Sequence, residues 1–251
     1  MLALIILSAA FYLLWMTPEL LIKMNKAFGI SAWLLHAIVN YYSLINDTGW
    51  NLNIINSILL VSWISVLVVI VFKINSQWVK IPLVVFVLMS FILLDNAHSF
   101  NKANLKEFSW QLDLHISLSM LAYALLSVAS LYALSLWVHI KRIKNSDFQS
   151  GGGLISLIEE EKKLVQLISL GWLILSTSLI SGVIFVENFV QQHLGHKVVF
   201  SLLAWFIYGL LILGRLSKGW RGEKLISLTI MGMTLLAMGY LGSKIVLLWV
   251  L

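Results

Sequence analysis

Six histidines carry most of the metal-binding capacity of this chain, which has no cysteine. With no thiol, disulfides, thiolate metal sites and covalent haem attachment through C-x-x-C-H are excluded, so any metal or haem must be held by His, Met or oxygen ligands. His36 stands in the apolar run S-A-W-L-L-H-A-I-V, and His115 stands in D-L-H-I-S-L-S-M at the mouth of a segment almost without charge as far as Trp137. An imidazole in a bilayer core needs a partner, so His36 is expected to face a helix-bundle interior, hydrogen-bonded or ligating a metal. His115 lies nearer a membrane surface, where water also satisfies it. His98, His139, His193 and His196 fall in or near loops. The spacing His193-x-x-His196 suits a metal, but Glu187 is the one acid close to it in sequence.

The elements that must position these residues follow from composition. Of 251 residues, 60% are hydrophobic and 11% charged, with two prolines, and the mean hydropathy is +0.94. Such a chain belongs in a lipid bilayer. The net charge of +6 comes from basic residues in short gaps between apolar runs, which membrane topology explains without nucleic acid. Apolar runs suited to spanning cover Leu2 to Ile22, Gly29 to Ile45, Asn53 to Phe72, Val79 to Leu94, Leu112 to Ile140, Leu164 to Val186, Val198 to Leu216 and Leu225 to Val250. Long, unalternating runs mean helices and not a barrel, because each backbone polar group must be satisfied within its own segment. The expected fold is all-α, a polytopic membrane protein whose bundle of about eight transmembrane helices makes residues 1–251 a single transmembrane domain.

Lys and Arg set the orientation. Lys23 and Lys26, then Lys73 and Lys80, then the run from Lys141 to Lys163, then Arg215, Lys218, Arg221 and Lys224 occupy alternate gaps, which are expected to face the cytoplasm. The opposite gaps hold Lys102, Lys106 and Lys197, with Lys244 near the outer end of the last span, so both termini are placed outside. The first run is read as a retained span, since no basic residue precedes it and no small-x-small cleavage site follows it. Residues 141–163 read as a flexible inside loop with a Gly151-Gly152-Gly153 hinge and a solvated helix start at Glu159-Glu160-Glu161. Residues 95–111 could form an amphipathic helix on the outer surface. Small residues at helical spacing, Ser119, Ala122, Ala129 and Ala133 in one span and Gly232, Gly239, Gly242 and Ser243 in another, predict close helix packing. Trp50, Trp78, Trp110, Trp137, Trp220 and Trp249 read as interface anchors.

Several segments carry a family resemblance. Residues 113–134, D-L-H-I-S-L-S-M-L-A-Y-A-L-L-S-V-A-S-L-Y-A-L, then L-I-S-G-V-I-F at 179–185, and G-H-K-V-V-F-S-L-L-A-W-F-I-Y-G, G-W-R-G and Y-L-G-S-K-I-V within 195–246 resemble the cytochrome c assembly protein family, in its short eight-span YpjD/HemX-like branch. His36-Ala37-Ile38 resembles an element of the second span of that branch. The resemblance implies a haem-handling protein of a bacterial cytoplasmic (inner) membrane, with non-covalently held haem b as cofactor and His115 as an axial-ligand position; His36, as the only other intramembrane His, is the natural second ligand. It also marks a departure. Haem-delivering members carry a Trp-rich stretch after the sixth span, whereas this chain reads E-N-F-V-Q-Q-H-L-G-H-K there and has no Trp between Trp172 and Trp205. A non-enzymatic accessory or regulatory factor in cytochrome c assembly is therefore expected, with the lipid bilayer and haem as partners and no nucleic acid. Two other classes stay open. One is a cofactor-free scaffold or regulatory subunit bound to another membrane protein. The other is a small transporter, disfavoured because Pro18, Pro82, Glu19, Asp113 and Glu187 all lie near span ends.

Overall fold

The computed structural model describes residues 1–17, 24–46, 49–50, 54–96, 110–145, 152–185 and 195–250. Eight helices form in chain order: α1 (Leu2–Met16), α2 (Asn25–Leu44), α3 (Ile54–Val71), α4 (Gln77–Asn96), α5 (Trp110–Asn145), α6 (Gly152–Phe185), α7 (Gly195–Lys218) and α8 (Glu223–Val250). Among the described residues, the one departure from helix with paired strands is a minimal antiparallel hairpin between α2 and α3, in which β1 (Ile45–Asn46) pairs with β2 (Gly49–Trp50). Each helix overlaps one of the eight apolar runs, and α6 begins well before its run, at Gly152 instead of Leu164. Among the described residues, the segments Gln77–Leu94, Trp110–Lys144, Leu157–Phe185 and Gly195–Lys218 are long and apolar enough to cross a membrane, while Leu2–Met16 and Ile55–Val71 are apolar but shorter. Large apolar side chains face outward along them, with Val183 76% and Leu216 79% exposed. Exposure on that scale needs lipid around it.

The chain divides into two compact units, 1–110 and 111–251. In the first, α1 packs on α2 where Gly29 leaves room for the Trp15 indole; a Cβ at 29 would come within 2.8 Å of that ring. Ser8 Oγ donates to the Ala32 carbonyl at 3.1 Å. Trp33 and Trp63 stack at 4.9 Å and join α2 to α3, with Trp63 Nε1 donating to the Trp33 carbonyl at 3.0 Å. Hydroxyls that must find partners inside lipid tie α3 to α4, where Ser62 and Ser90 meet at 3.2 Å.

In the second unit the small residues act as their spacing predicts. Ala122, Ala129 and Ala133 are fully buried, Gly232 lies under the Tyr208 ring, and Gly239 accommodates Phe200. A second indole pair, Trp172 and Trp205, stacks at 5.6 Å between α6 and α7, with Trp172 Nε1 donating to the Trp205 carbonyl at 3.0 Å. Trp78, Trp110 and Trp137 are exposed, as interface anchors are.

The stretch 141–163 departs from the flexible-loop reading. Helix α5 continues to Asn145 and α6 begins at Gly152, so Gly152 and Gly153 open a helix, while Gly151 lies outside the described residues. At 36 residues α5 measures about 54 Å, well beyond a hydrocarbon core of about 30 Å. Nor is the acidic run simply solvated. Glu161 is 8% exposed and accepts from Arg215 Nη1 at 3.3 Å, Arg221 Nε at 3.1 Å and the Gly222 backbone N–H at 2.9 Å. It thereby clamps the short α7–α8 turn, where Gly219 and Gly222 adopt positive φ. Helical side-chain spacing places Glu160 elsewhere, against His139 Nδ1 at 3.0 Å.

Candidate functional site

His115 lies in the second turn of α5 with its imidazole against α6. Nδ1 is 3.0 Å from the Ser178 carbonyl oxygen and 3.0 Å from Ser181 Oγ. A carbonyl only accepts, so Nδ1 carries the proton, and the Nε2 lone pair is left to bind a metal. The surrounding hydroxyls are consistent with this assignment. Ser181 Oγ donates to the same carbonyl at 2.8 Å and so offers its oxygen to Nδ1–H. Ser119 Oγ donates to the His115 carbonyl at 2.8 Å and meets Ser178 Oγ at 2.7 Å. Gly182 supplies the space for the ring, since a Cβ there would stand 2.9 Å from His115 Cε1. The L-I-S-G-V-I-F segment is thus the wall on which His115 rests.

A cavity of about 330 Å³ opens beside it among α5, α6, α7 and α8, at the small end of the range for ligand sites. Its walls are mostly apolar, with Ile116, Met120, Leu175, Leu179 and Leu202 among them. Polar groups enter at His115, Ser119 and Ser178, at Tyr123 and Tyr240, whose rings stand 5.7 Å apart, and at Lys197, whose Nζ lies 5.9 Å from the Tyr240 ring centre. Ser119 lines the cavity, but Ala122, Ala129 and Ala133 are used up in helix packing.

His36 belongs to the first unit and has a different environment. Its side chain is fully buried, with Nδ1 3.2 Å from the Tyr12 hydroxyl, and the Phe91 ring packs at 4.7 Å. Asn40 Nδ2 donates to the His36 carbonyl at 3.1 Å. His36 Nε2 and Asn40 Oδ1 are buried without a hydrogen-bond partner. An unmatched polar atom in such a setting costs on the order of 1–3 kcal/mol. Of the remaining histidines, His139 pairs with Glu160 and His196 sits in the first turn of α7 with Nε2 buried and unpartnered. His98 and His193 lie outside the described residues, as do Lys102 and Lys106. No group of three or more His, Asp or Glu arranged for a metal occurs among the described residues.

The donor set suits a haem iron. Metal-ligating histidines characteristically donate their second ring nitrogen to a carbonyl or carboxylate, which fixes tautomer and ring orientation, and His115 is held in that way next to a largely apolar cavity. Sequence reasoning found His115 but not Ser178, Ser181, Gly182 or Tyr240. Ser181 and Gly182 fall in L-I-S-G-V-I-F and Tyr240 in Y-L-G-S-K-I-V, the segments that carry the resemblance, while Ser178 immediately precedes the first of them.

Comparison with known proteins shows the family. The model of a family described as Cytochrome C assembly protein matches residues 24–251. The chain is 32% identical over 203 residues to the inner membrane protein YpjD of Escherichia coli K12, a match covering 80% of this chain and 76% of that protein. It is 27% identical over 161 residues to the cytochrome c biogenesis protein CcsA of Synechococcus sp. CC9902, covering 55% of this chain and 53% of that protein. A 28.8 kDa protein of Azospirillum brasilense matches at 27% over 138 residues.

Proposed function

The chain belongs to the cytochrome c assembly protein family, and from that premise we propose that it binds haem b non-covalently at His115 as an accessory factor in cytochrome c assembly, without an enzymatic step of its own. The observation that carries this reading is the 3.0 Å contact of His115 Nδ1 with the Ser178 carbonyl oxygen, which assigns the ring proton to Nδ1. With Nδ1–H committed to the Ser178 carbonyl, Nε2 is available as a neutral ligand at an apolar cavity, the environment in which imidazole holds haem iron. When bound, the haem supplies an iron centre able to accept and release one electron. The chain's own part is to fix the imidazole through Ser178, Ser181 and Gly182, and to keep water from much of the ring with Leu175, Leu179 and Leu202.

His36 is the second residue proposed as a haem ligand. Tyr12 and Phe91 enclose its ring, so ligation requires that shell to open. We further assign eight spans with both termini outside, on the asymmetry of Lys and Arg between alternate gaps. That orientation puts His115 and Lys197 at the outer side.

Protein purified in detergent from haem-replete cells should show a Soret band that His115→Ala abolishes. If His36 ligates haem, His36→Ala changes the haem spectrum; if His36 only packs, His36→Ala lowers stability and leaves the spectrum unchanged. Folded, monodisperse but colourless protein would defeat the haem reading and leave a cofactor-free scaffold, the second reading that family membership supports.

A further inference from the structure

A second groove, of about 290 Å³, opens between α5 and α8 at the far end of the second unit. Trp137 on its α5 side stands about 30 Å along the helix axis from His115, so the groove is separate from the cavity described above. Leu134, Trp137, Ile226 and Ile230 give it apolar walls, and Leu134 and Trp137 are 45% and 40% exposed. Its mouth carries charges of both signs. Glu223 lines it and accepts from Lys144 Nζ at 3.4 Å, while Lys141 Nζ lies 3.7 Å from the centre of the Trp137 ring. Among the described residues no carboxylate pairs with Lys141. We propose that this groove seats a phospholipid with a primary-amine headgroup, its phosphate on Lys141 and Lys144, its ammonium on Glu223 and an acyl chain against Leu134 and Ile230.

Each part of that ligand answers to a part of the site. Apolar walls beside an indole that anchors the span at the membrane interface suit a hydrocarbon chain that begins at headgroup level. The Trp137 face holds the Lys141 ammonium at the groove mouth, where a phosphate oxygen can accept a charge-assisted hydrogen bond from it. Lysines alone would select any anionic lipid. Glu223 changes the selection, because its carboxylate repels a headgroup with negative charge only and accepts from an ammonium. The contact of Glu223 with Lys144 does not block this, since the two side chains are 74% and 66% exposed and a pair so solvated contributes little. Both partners are therefore available for exchange, Lys144 to a phosphate and Glu223 to an amine. A headgroup bearing phosphate and primary ammonium matches two cations and one acid. A quaternary amine keeps the charge but has no N–H to donate, and a glycerol headgroup has no cation at all.

The test uses the full chain in detergent, stripped of lipid, with native mass spectrometry of added phosphatidylethanolamine, phosphatidylcholine and phosphatidylglycerol of identical acyl chains. The unaltered protein should hold phosphatidylethanolamine roughly tenfold more tightly than either of the others, as expected for one charge-assisted contact. Glu223→Gln should abolish that preference and strengthen phosphatidylglycerol binding, because the repelling carboxylate is gone and Lys144 is released. Lys141→Ala should weaken all three lipids, and so should Ser227→Trp, which fills the groove and leaves its charges in place. Residues 141, 223 and 227 are exposed, so thermal midpoints of the lipid-free variants should match the parent and show that the fold is kept. Equal binding of the three lipids by the unaltered protein, a preference for phosphatidylglycerol, or a phosphatidylethanolamine preference that survives Glu223→Gln overturns the assignment. A lipid-free dimer that Ser227→Trp dissociates overturns it as well, since a second copy would then cover the groove. His115→Ala should leave the order of the lipids unchanged, so this assignment and the haem reading fail separately.

Discussion

Gly182→Ala probes the His115 seat with a sign reversal that packing alone predicts. The new Cβ would lie 2.9 Å from His115 Cε1 and 3.4 Å from Nδ1. Carbon atoms prefer about 3.5–4.0 Å, so the ring must retreat by roughly half an ångström or more. The Nδ1 bonds to Ser178 and Ser181 are 3.0 Å long, and such a shift takes them to or past the limit of a useful hydrogen bond. Overpacking costs about 1–3 kcal/mol and a lost hydrogen bond about 1 kcal/mol. Against this, replacing Gly by Ala within a helix gains up to about 1 kcal/mol. The net loss is about 1–3 kcal/mol, which lowers the melting midpoint by several degrees for a chain of this size. In a His115→Ala background the clash disappears and only the helix gain remains, so the same Gly182→Ala substitution should leave the midpoint unchanged or raise it. Four thermal melts in one detergent close this double-mutant cycle. An equal drop in both backgrounds would show that Gly182 serves some other neighbour and that the seat is misassigned.

Two further predictions concern the ends of the second unit and the topology. Glu161→Ala leaves Arg215, 19% exposed at its side chain, without its carboxylate and should cost about 2–4 kcal/mol, below the full penalty of a buried pair because Arg221 is half exposed. Glu161→Gln keeps an acceptor for the Gly222 N–H and should recover part of that loss in the thermal midpoint, whereas an Ala variant as stable as the parent would mean that the cluster is balanced by solvent. Reporter fusions after Asn145 and Ser217 should read cytoplasmic and those after Asn101 and Gln192 external, and a reversed pattern at 145 and 101 would sink the proposed orientation.

Lipid residence, helical class and the approximate location of all eight helices were legible in the sequence, because a bilayer demands long apolar runs with internally satisfied backbones and those runs stand out one by one. His115 could be singled out for a related reason, as a titratable group inside such a run whose neighbours carry the family resemblance. The stripe from Ser119 to Ala133 shows where this reasoning stops. Its spacing announced a close approach of helices, but only the packed structure shows that the alanines bury against neighbours while Ile116, Met120 and Tyr123 face the cavity. Glu161 is the sharper case. In sequence it is one of three consecutive acids at a helix start, equivalent by composition, yet helical rotation sends Glu160 to His139 and Glu161 into Arg215, Arg221 and the Gly222 amide. The His115 tautomer, the space left by Gly182 and the pairing of Lys197 with Tyr240 likewise depend on which residues of α6 and α8 arrive opposite them. Those partners lie more than forty residues away along the chain, so no local pattern encodes the meeting. It is decided when helices pack through their small residues, and the functional geometry of the cavity is set at that step.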